Sequence, residues 1–462
     1  MGKSRAAKYE PNWESLKKYK VPDWFTDAKF GIFIHWGVYS VPAFGSEWYP
    51  RHMYIKSSTE YAHHVKKWGQ PGEFGYKDFI PMFKARKWDP EAWVELFKKA
   101  GAKYVVPVAE HHDGFPMYDC SYTTWNAANM GPCRDVCAEL GKATRKAGLK
   151  FGVSSHRAFN WHYYTFRDEF DNTDTANSQL YGVPHRDEQP VSYEFVLDWY
   201  ARTQEMVDKF SPDILWFDFG WQRDEFGPWR PRVAAYYYNH ALKHGYEPVL
   251  QYKDKFPDGV AVLDIERGKL ADIRPHFWQT DTSVSYRSWS YIEDDDFRTV
   301  DSIVHDLVDI VSKNGSLLLN IGPRSDGTIP KEVQRLLLGT GEWLDVNGEA
   351  IYGARPWKVY GEGETGVPRS FDERAQKPYT AGDVRFTQKD GVLYAICLGW
   401  PGKEACIRAL GSGSAIGKKI ANVTMLGSRE KIAWTQDESG LKLKTPARRP
   451  CRNAYTFRIK LR

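Results

Sequence analysis

Apolar and polar positions alternate in blocks along the first three quarters of the chain. Short runs rich in aliphatic and aromatic residues are separated by longer stretches whose apolar positions recur at helical spacing. The runs predict strands at Phe30 to His35, Tyr104 to Ala109, Lys150 to Ser154, Ile214 to Asp218, Pro248 to Tyr252, Val260 to Ile265 and Ser316 to Ile321. The stretches between them predict helices over Pro90 to Ala100, Cys133 to Ala147, Glu194 to Phe210, Arg232 to His244, Val300 to Lys313 and Lys331 to Asn347. Asp89-Pro90 puts a capping carboxylate before a first-turn proline, and Lys313-Asn314-Gly315 supplies a stop. Such alternation implies βα units on a parallel sheet, and seven or eight of them closing on themselves form a (β/α)8 TIM-like barrel.

Beyond about Pro356 the pattern shortens to alternating segments broken by Gly, Pro and charged turns: Val384 to Thr387, Val392 to Leu398, Ala421 to Leu426, Leu441 to Lys444 and Ala454 to Ile459. This spacing predicts an antiparallel β-sandwich. The expected organisation is therefore a barrel over residues 1–355 and a smaller C-terminal β-sandwich domain over 356–462, with Gly361 to Pro378 beginning as a loop. A length of 462 residues, beyond the usual reach of one core, agrees with two domains.

Composition narrows the function classes. Hydrophobic residues make up 42% and aromatics 15%, including 19 Trp, which is enough for a full core and an aromatic-lined cleft and argues against disorder. The net charge of +5 is dispersed, and pairs such as Lys17-Lys18 and Lys418-Lys419 read as solvated surface, so no nucleic-acid partner is expected. Six cysteines at irregular spacing make neither a zinc pattern nor a disulfide framework, and Cys133 and Cys137 read as free buried thiols. No apolar segment follows Met1-Gly2-Lys3-Ser4-Arg5, so no signal peptide is expected in the numbered chain. No run approaches the ~20 residues that span a bilayer, so no membrane insertion is expected.

Polar clusters fall at the carboxyl ends of the predicted strands, where a barrel must carry its active site. They are His35-Trp36-Gly37, Glu47-Trp48-Tyr49, His111-His112-Asp113-Gly114-Phe115 and Asp218-Phe219-Gly220-Trp221. Sugar rings stack on aromatic faces while their hydroxyls take directed hydrogen bonds, so carboxylates and imidazoles among tryptophans point to a glycoside hydrolase. Hydrolysis with retained configuration needs two carboxyl groups about 5 to 5.5 Å apart. Asp218 is the nucleophile candidate, because it ends an apolar strand and is enclosed by Trp216, Phe217, Phe219 and Trp221; the alternative is a strand-end cap on the next turn. Glu266, after Val262-Leu263-Asp264-Ile265, is the acid candidate and reads equally as a surface residue paired with Arg267, with Glu47, Glu110 and Asp113 as rivals. His35, His111 and His112 suit either metal ligation or hydrogen bonding, but adjacent histidines on a strand face opposite ways, which argues against one shared ion. Trp36, Trp48, Trp221, Trp278 and Trp289 divide between core and cleft.

At these residues the chain resembles the retaining α-L-fucosidases of glycoside hydrolase family 29. The resemblance runs from about Trp24 to Trp357 and less specifically beyond. It is carried by Trp24-Phe25-Thr26-Asp27-Ala28-Lys29-Phe30-Gly31-Ile32-Phe33-Ile34-His35-Trp36-Gly37, by His111-His112-Asp113-Gly114-Phe115, and by Leu317-Leu318-Leu319-Asn320-Ile321-Gly322-Pro323 with Asp326-Gly327. It implies Asp218 as nucleophile, with His35, Glu47, Trp48, His111 and His112 holding the fucose hydroxyls. Trp221 and Trp289, each suited to core or cleft, are also candidate substrate contacts. Some members carry Trp-Glu where this chain has Trp278-Gln279, and glutamine cannot donate and accept a proton in turn. Others place the acid/base in a segment like Asp264-Ile265-Glu266-Arg267-Gly268, which this chain keeps, so the resemblance assigns Glu266. Phe159 and Ser290 are further departures on the leaving-group side. The resemblance implies no cofactor and a fucosylated oligosaccharide or glycoconjugate as substrate. An exo-glycosidase for an L-galactose-like sugar and a non-catalytic fucose-binding protein are the alternatives.

Overall fold

Eight strands pair in chain order into a closed parallel barrel: β1 (Phe30–Ile34), β2 (Tyr104–Glu110), β3 (Lys150–Ser155), β4 (Ile214–Phe217), β5 (Val249–Tyr252), β6 (Val262–Asp264), β7 (Trp278–Ser283) and β8 (Gly315–Ile321). The computed structural model describes residues 8–366, 373–413 and 419–462. Met1 to Arg5, Lys418 and part of the Gly361 to Pro378 stretch lie outside the described residues. Buried on both faces, the strands read as continuous apolar runs, which is why seven of them are evident in the sequence.

The exception is β7, Trp-Gln-Thr-Asp-Thr-Ser, which has no apolar run to betray it. Its polar side chains are satisfied within the fold: Gln279 Nε2 donates to Asp264 at 2.6 Å, Lys253 Nζ lies 3.4 Å from Asp281, and Asn320 Nδ2 donates to Ser283 at 3.0 Å. In β1, Gly31 lies opposite Tyr104 and leaves room for its ring, since a Cβ there would lie 2.2 Å from that ring. The freed Tyr104 hydroxyl reaches across the barrel to Gln279 Oε1 at 2.8 Å.

Helices cover most of the barrel wall: Pro90–Lys99 before β2, Val136–Lys146 before β3, Tyr193–Phe210 before β4, Arg230–His244 before β5, Val300–Ser312 before β8, and Lys331–Asn347 after it. Among the described residues, the β5–β6 and β6–β7 connections contain no α-helix. Cys133 lies ahead of the Val136–Lys146 helix and is exposed, correcting the expectation that it is buried with Cys137; all six cysteines are free. No helix among the described residues is long and apolar enough to cross a membrane.

The remaining strands are β9 (Arg355–Glu362), β10 (Val384–Lys389), β11 (Val392–Cys397), β12 (Glu404–Ile407), β13 (Ile420–Met425), β14 (Trp434–Asp437), β15 (Gly440–Lys444) and β16 (Tyr455–Leu461). They form an antiparallel five-stranded sheet, β13-β16-β11-β10-β9, and a three-stranded sheet, β12-β15-β14. Phe386, Leu393 and Phe457 of one sheet and Ile407, Leu441 and Leu443 of the other share one core, so the two sheets form a β-sandwich. The Val300–Ser312 helix lies between the barrel and this region and is buried almost all round, as its apolar sequence requires. Its Asp309 accepts from Arg385 Nε of β10 at 2.6 Å and from Lys313 Nζ at 2.8 Å.

Candidate active site

The first residue past each of five successive strands turns into the barrel mouth: His35 after β1, His111 after β2, His156 after β3, Asp218 after β4 and Lys253 after β5. With Glu47, Trp48, His112, Trp216, Phe219, Glu266, Asp281 and Trp289 they line one pocket, in which carboxylates and imidazoles face aromatic rings.

Asp218 is the electrostatic centre. His112 Nε2 and His156 Nδ1 approach its Oδ2 at 3.1 and 3.0 Å, and Lys253 Nζ stands 3.5 Å from Oδ1. Burial pushes its carboxyl upward, but Lys253 and the two imidazoles outweigh that and hold it well below the usual carboxylate range, so it is ionised. Lys253 also pairs with Glu266 at 2.7 Å. One ammonium thus contacts both carboxylates and holds them on either side of the same nitrogen. Behind Lys253, burial raises both Asp264 and Asp281, and the Asp281 charge raises Asp264 further.

The imidazoles are oriented by what lies behind them. Asn320 Nδ2 donates to Ser283 Oγ and to the Trp289 carbonyl, which turns its Oδ1 to His35 Nδ1 at 2.7 Å. Nδ1 therefore carries the proton. Burial, reinforced by His156, holds His35 well below the ordinary imidazole range, so its Nε2 is an acceptor. His112 places Nδ1 2.6 Å from the His156 carbonyl and Nε2 on Asp218, so both ring nitrogens face acceptors. Burial lowers His156 to about 4 despite the neighbouring carboxylate. Glu47 accepts from the Trp289 backbone at 2.8 Å and the Ser288 hydroxyl at 3.2 Å; burial pushes its carboxyl up, opposed by backbone hydrogen bonds and the Arg267 charge.

Two triads, His35–His111–His156 and His112–His156–Asp218, bring possible metal-ligand atoms within 4.8 Å of one another. In the second those atoms already engage each other, and the Lys253 ammonium beside Asp218 opposes a second cation.

Of the residues nominated from sequence, His35, Glu47, Trp48, His111, His112, Asp218, Glu266 and Trp289 meet in this pocket. Trp221 does not line it, which corrects its assignment as a substrate contact: Gly220, at φ +111°, swings the chain outward. The Trp221 ring is buried between β4 and the Tyr193–Phe210 helix, 4.1 Å from Phe217 and 5.8 Å from Trp199. His111 and His112 both reach the pocket, because β2 ends at Glu110 and strand alternation no longer applies. The rival carboxylates are engaged elsewhere. Glu110 pairs with Arg157 and Arg202 at 3.1 and 3.2 Å, and Asp113 accepts from the Tyr76 hydroxyl at 2.6 Å. Trp36 packs among Phe83, Trp88 and Trp93, and Trp278 is buried with its Nε1 on the Lys313 carbonyl at 2.9 Å. Gln279 lies inside the barrel, bonded to Asp264 and Tyr104. Phe159 packs 4.8 Å from Phe219 and 5.9 Å from Trp48 at the pocket edge, and Ser290 is buried with its N–H on Ser288 Oγ.

His156, Lys253 and Asp281 were not nominated. Lys253 carries a legible signal, a polar residue directly after the apolar run of β5; His156 follows Ser154-Ser155, and Asp281 lies in the one barrel strand without an apolar run.

Comparison with known proteins gives a consistent answer over nearly the whole chain. Residues 2–349 match the family described as Alpha-L-fucosidase, and residues 376–460 match the Alpha-L-fucosidase C-terminal domain. The tissue alpha-L-fucosidase of Rattus norvegicus is 34% identical over 98% of this chain and 92% of its own, and that of Homo sapiens is 33% identical over 95% and 88%. The crystal structure of Thermotoga maritima alpha-fucosidase with a mechanism-based inhibitor superposes with a TM-score of 0.81 at 33% identity, covering 98% of this chain and 99% of that one. The same enzyme in complex with fucose gives 0.79 over 98% and 100%.

Proposed function

Since the chain belongs to the α-L-fucosidase family, glycoside hydrolase family 29, we propose that it is an exo-acting, retaining α-L-fucosidase in which Asp218 is the nucleophile and Glu266 the acid/base. Its substrates are terminal α-L-fucosides of oligosaccharides or glycoconjugates. The ionised Asp218 attacks the anomeric carbon while Glu266 protonates the departing oxygen, giving a covalent glycosyl-enzyme. Glu266 then takes a proton from water, which attacks the same carbon and releases fucose with its configuration retained. His35 Nε2 accepts from a fucose hydroxyl, Glu47, His111 and His112 take further hydroxyls, and Trp48 and Trp289 supply aromatic faces. Lys253 contacts both carboxylates; as the sugar ring binds, Glu266 exchanges that contact for its proton. We further propose that the barrel over residues 1–355 carries all of this chemistry and that residues 356–462 form the accompanying domain.

The observation that carries this reading is one ammonium in contact with both carboxylates, beside histidines that hold one of them ionised. A 2-fluoro fucosyl fluoride tests it by trapping the intermediate. The label is expected on the peptide bearing Asp218, and a label on any other carboxylate refutes the assignment.

A further inference from the structure

The β6–β7 connection contains no α-helix, and residues 373–376 pack against it. Glu373, which is mostly buried, accepts from Thr282 Oγ1 at 2.7 Å and Arg298 Nη1 at 3.1 Å through Oε1, and from Arg267 Nη1 at 2.8 Å through Oε2. Nearby, Gln376 accepts from Lys269 Nζ, and Arg374 pairs with Asp296 at 2.6 Å. The linking stretch thus grips two residues of the turn that carries Glu266.

Arg267 makes that grip matter to the pocket. Its guanidinium lies 4.7 Å over the ring of Trp289, which lines the sugar site, and it donates to the Ser285 carbonyl at 3.2 Å. Its backbone N–H donates to the Asp281 carbonyl at 2.8 Å, and its φ of +47° is a left-handed conformation that a non-glycine residue keeps only when its surroundings impose it. Glu266 is the residue before it, so the direction of the Glu266 side chain follows from how this turn is held. Arg298 has a second carboxylate, Asp306. Arg267 has Glu373 as its carboxylate partner in the described structure.

We infer that Glu373 is a positioning residue for the acid/base: acting through Arg267, it fixes the Ile265 to Gly268 turn so that Glu266 faces the leaving-group oxygen. The inference rests on the reading of Glu266 as acid/base. Loss of the Glu373 charge leaves Arg298 paired with Asp306 and removes the ion-pair partner of Arg267, so Arg267 is the group that moves, and Glu266 with it. A displacement of an ångström or so at a catalytic group costs up to about a hundredfold.

The test is a leaving-group series, from a dinitrophenyl to a methyl α-L-fucoside, run on the full chain with Glu373→Gln, Arg267→Lys and Glu266→Ala. For Glu373→Gln, kcat/KM is expected to fall roughly ten- to hundredfold on the methyl fucoside and little on the dinitrophenyl fucoside, which needs no protonation, while inhibition by free fucose is unchanged. A merely structural role would lower all substrates together, and because the selectivity is a ratio within one preparation it does not depend on the fraction folded. If Glu373→Gln yields no soluble protein, Arg267→Lys carries the same expectation. Leaving-group dependence in Glu266→Ala with none in either partner variant overturns the inference alone. Its absence in Glu266→Ala overturns the acid/base reading and this inference together.

Discussion

Lys253 illustrates how much one unassigned side chain governs. Burial disfavours its charge, yet Asp281, Glu266 and Asp218 outweigh that and hold it well above the ordinary ammonium range. Its own charge is the largest influence keeping Asp218 ionised. Replacing Lys253 with Met removes a depressing influence, so the Asp218 carboxyl rises. Turnover needs the ionised form, so the acid limb of the kcat/KM profile should move to higher pH, with the heaviest loss at low pH. A pH–rate profile on an activated aryl fucoside measures this; an unmoved acid limb would show that Lys253 does not set the nucleophile's ionisation. At this scale the sequence was readable where a polar residue follows an apolar run, as with His35, His111 and Asp218. Lys253 carries the same mark, but lysine more often means surface, and nothing local reports that three carboxylates from other strands surround it; His156 follows two serines and carries no such mark. Trp221 was misread for a related reason, since an outward swing at Gly220 is a backbone event that flanking aromatics do not announce.

Among the elements, the barrel strands were legible because a strand buried on both faces must be apolar throughout. The strand β7 breaks that rule by satisfying its polar groups internally, and β12 and β14 are too short, with alternating burial, to stand out. The absence of helices after β5 and β6 was likewise unreadable, since those connections look like any other polar stretch. In β1, Gly31 yields its side-chain space to Tyr104, whose ring would lie 2.2 Å from an added Cβ. Tyr104 is itself pinned by its bond to Gln279, so the neighbour cannot yield freely. Gly31→Ala should therefore destabilise the fold by about 1–3 kcal/mol, the usual cost of overpacking a filled core. Chemical denaturation checks this, and an unchanged midpoint would mean that the barrel interior is looser than the packing implies.

Across the whole molecule, the barrel and the C-terminal sheets meet at Asp309, fully buried between Lys313 and Arg385. Burial raises its carboxyl, but the two cations prevail and hold it below the ordinary range. A depressed carboxylate stabilises the fold above its unfolded pKa, about 4, and that contribution is lost as pH falls through the folded value. Arg385→Met should thus destabilise by about 3 kcal/mol near neutrality, as expected when one partner of a buried pair is removed. The difference from the parent should shrink below about pH 4. Unfolding free energies across pH test both statements, while kcat/KM on an aryl fucoside should be unaffected at neutral pH, because Arg385 lies outside the sugar pocket.

The two carboxylates that share Lys253 differ in how they tolerate change in chain length. Asp218 follows a strand paired on both sides, where one residue more or less flips every side chain that follows. Glu266 sits on a helix-free connection, where an insertion ordinarily costs only a few tenths of a kcal/mol in closure entropy. The grip of Glu373 and Gln376 on Arg267 and Lys269 removes that freedom. An insertion between Glu266 and Lys269 pulls against the contacts made by Glu373 and Gln376, so anyone grafting new specificity onto this barrel must redesign that turn together with its partners a hundred or so residues away.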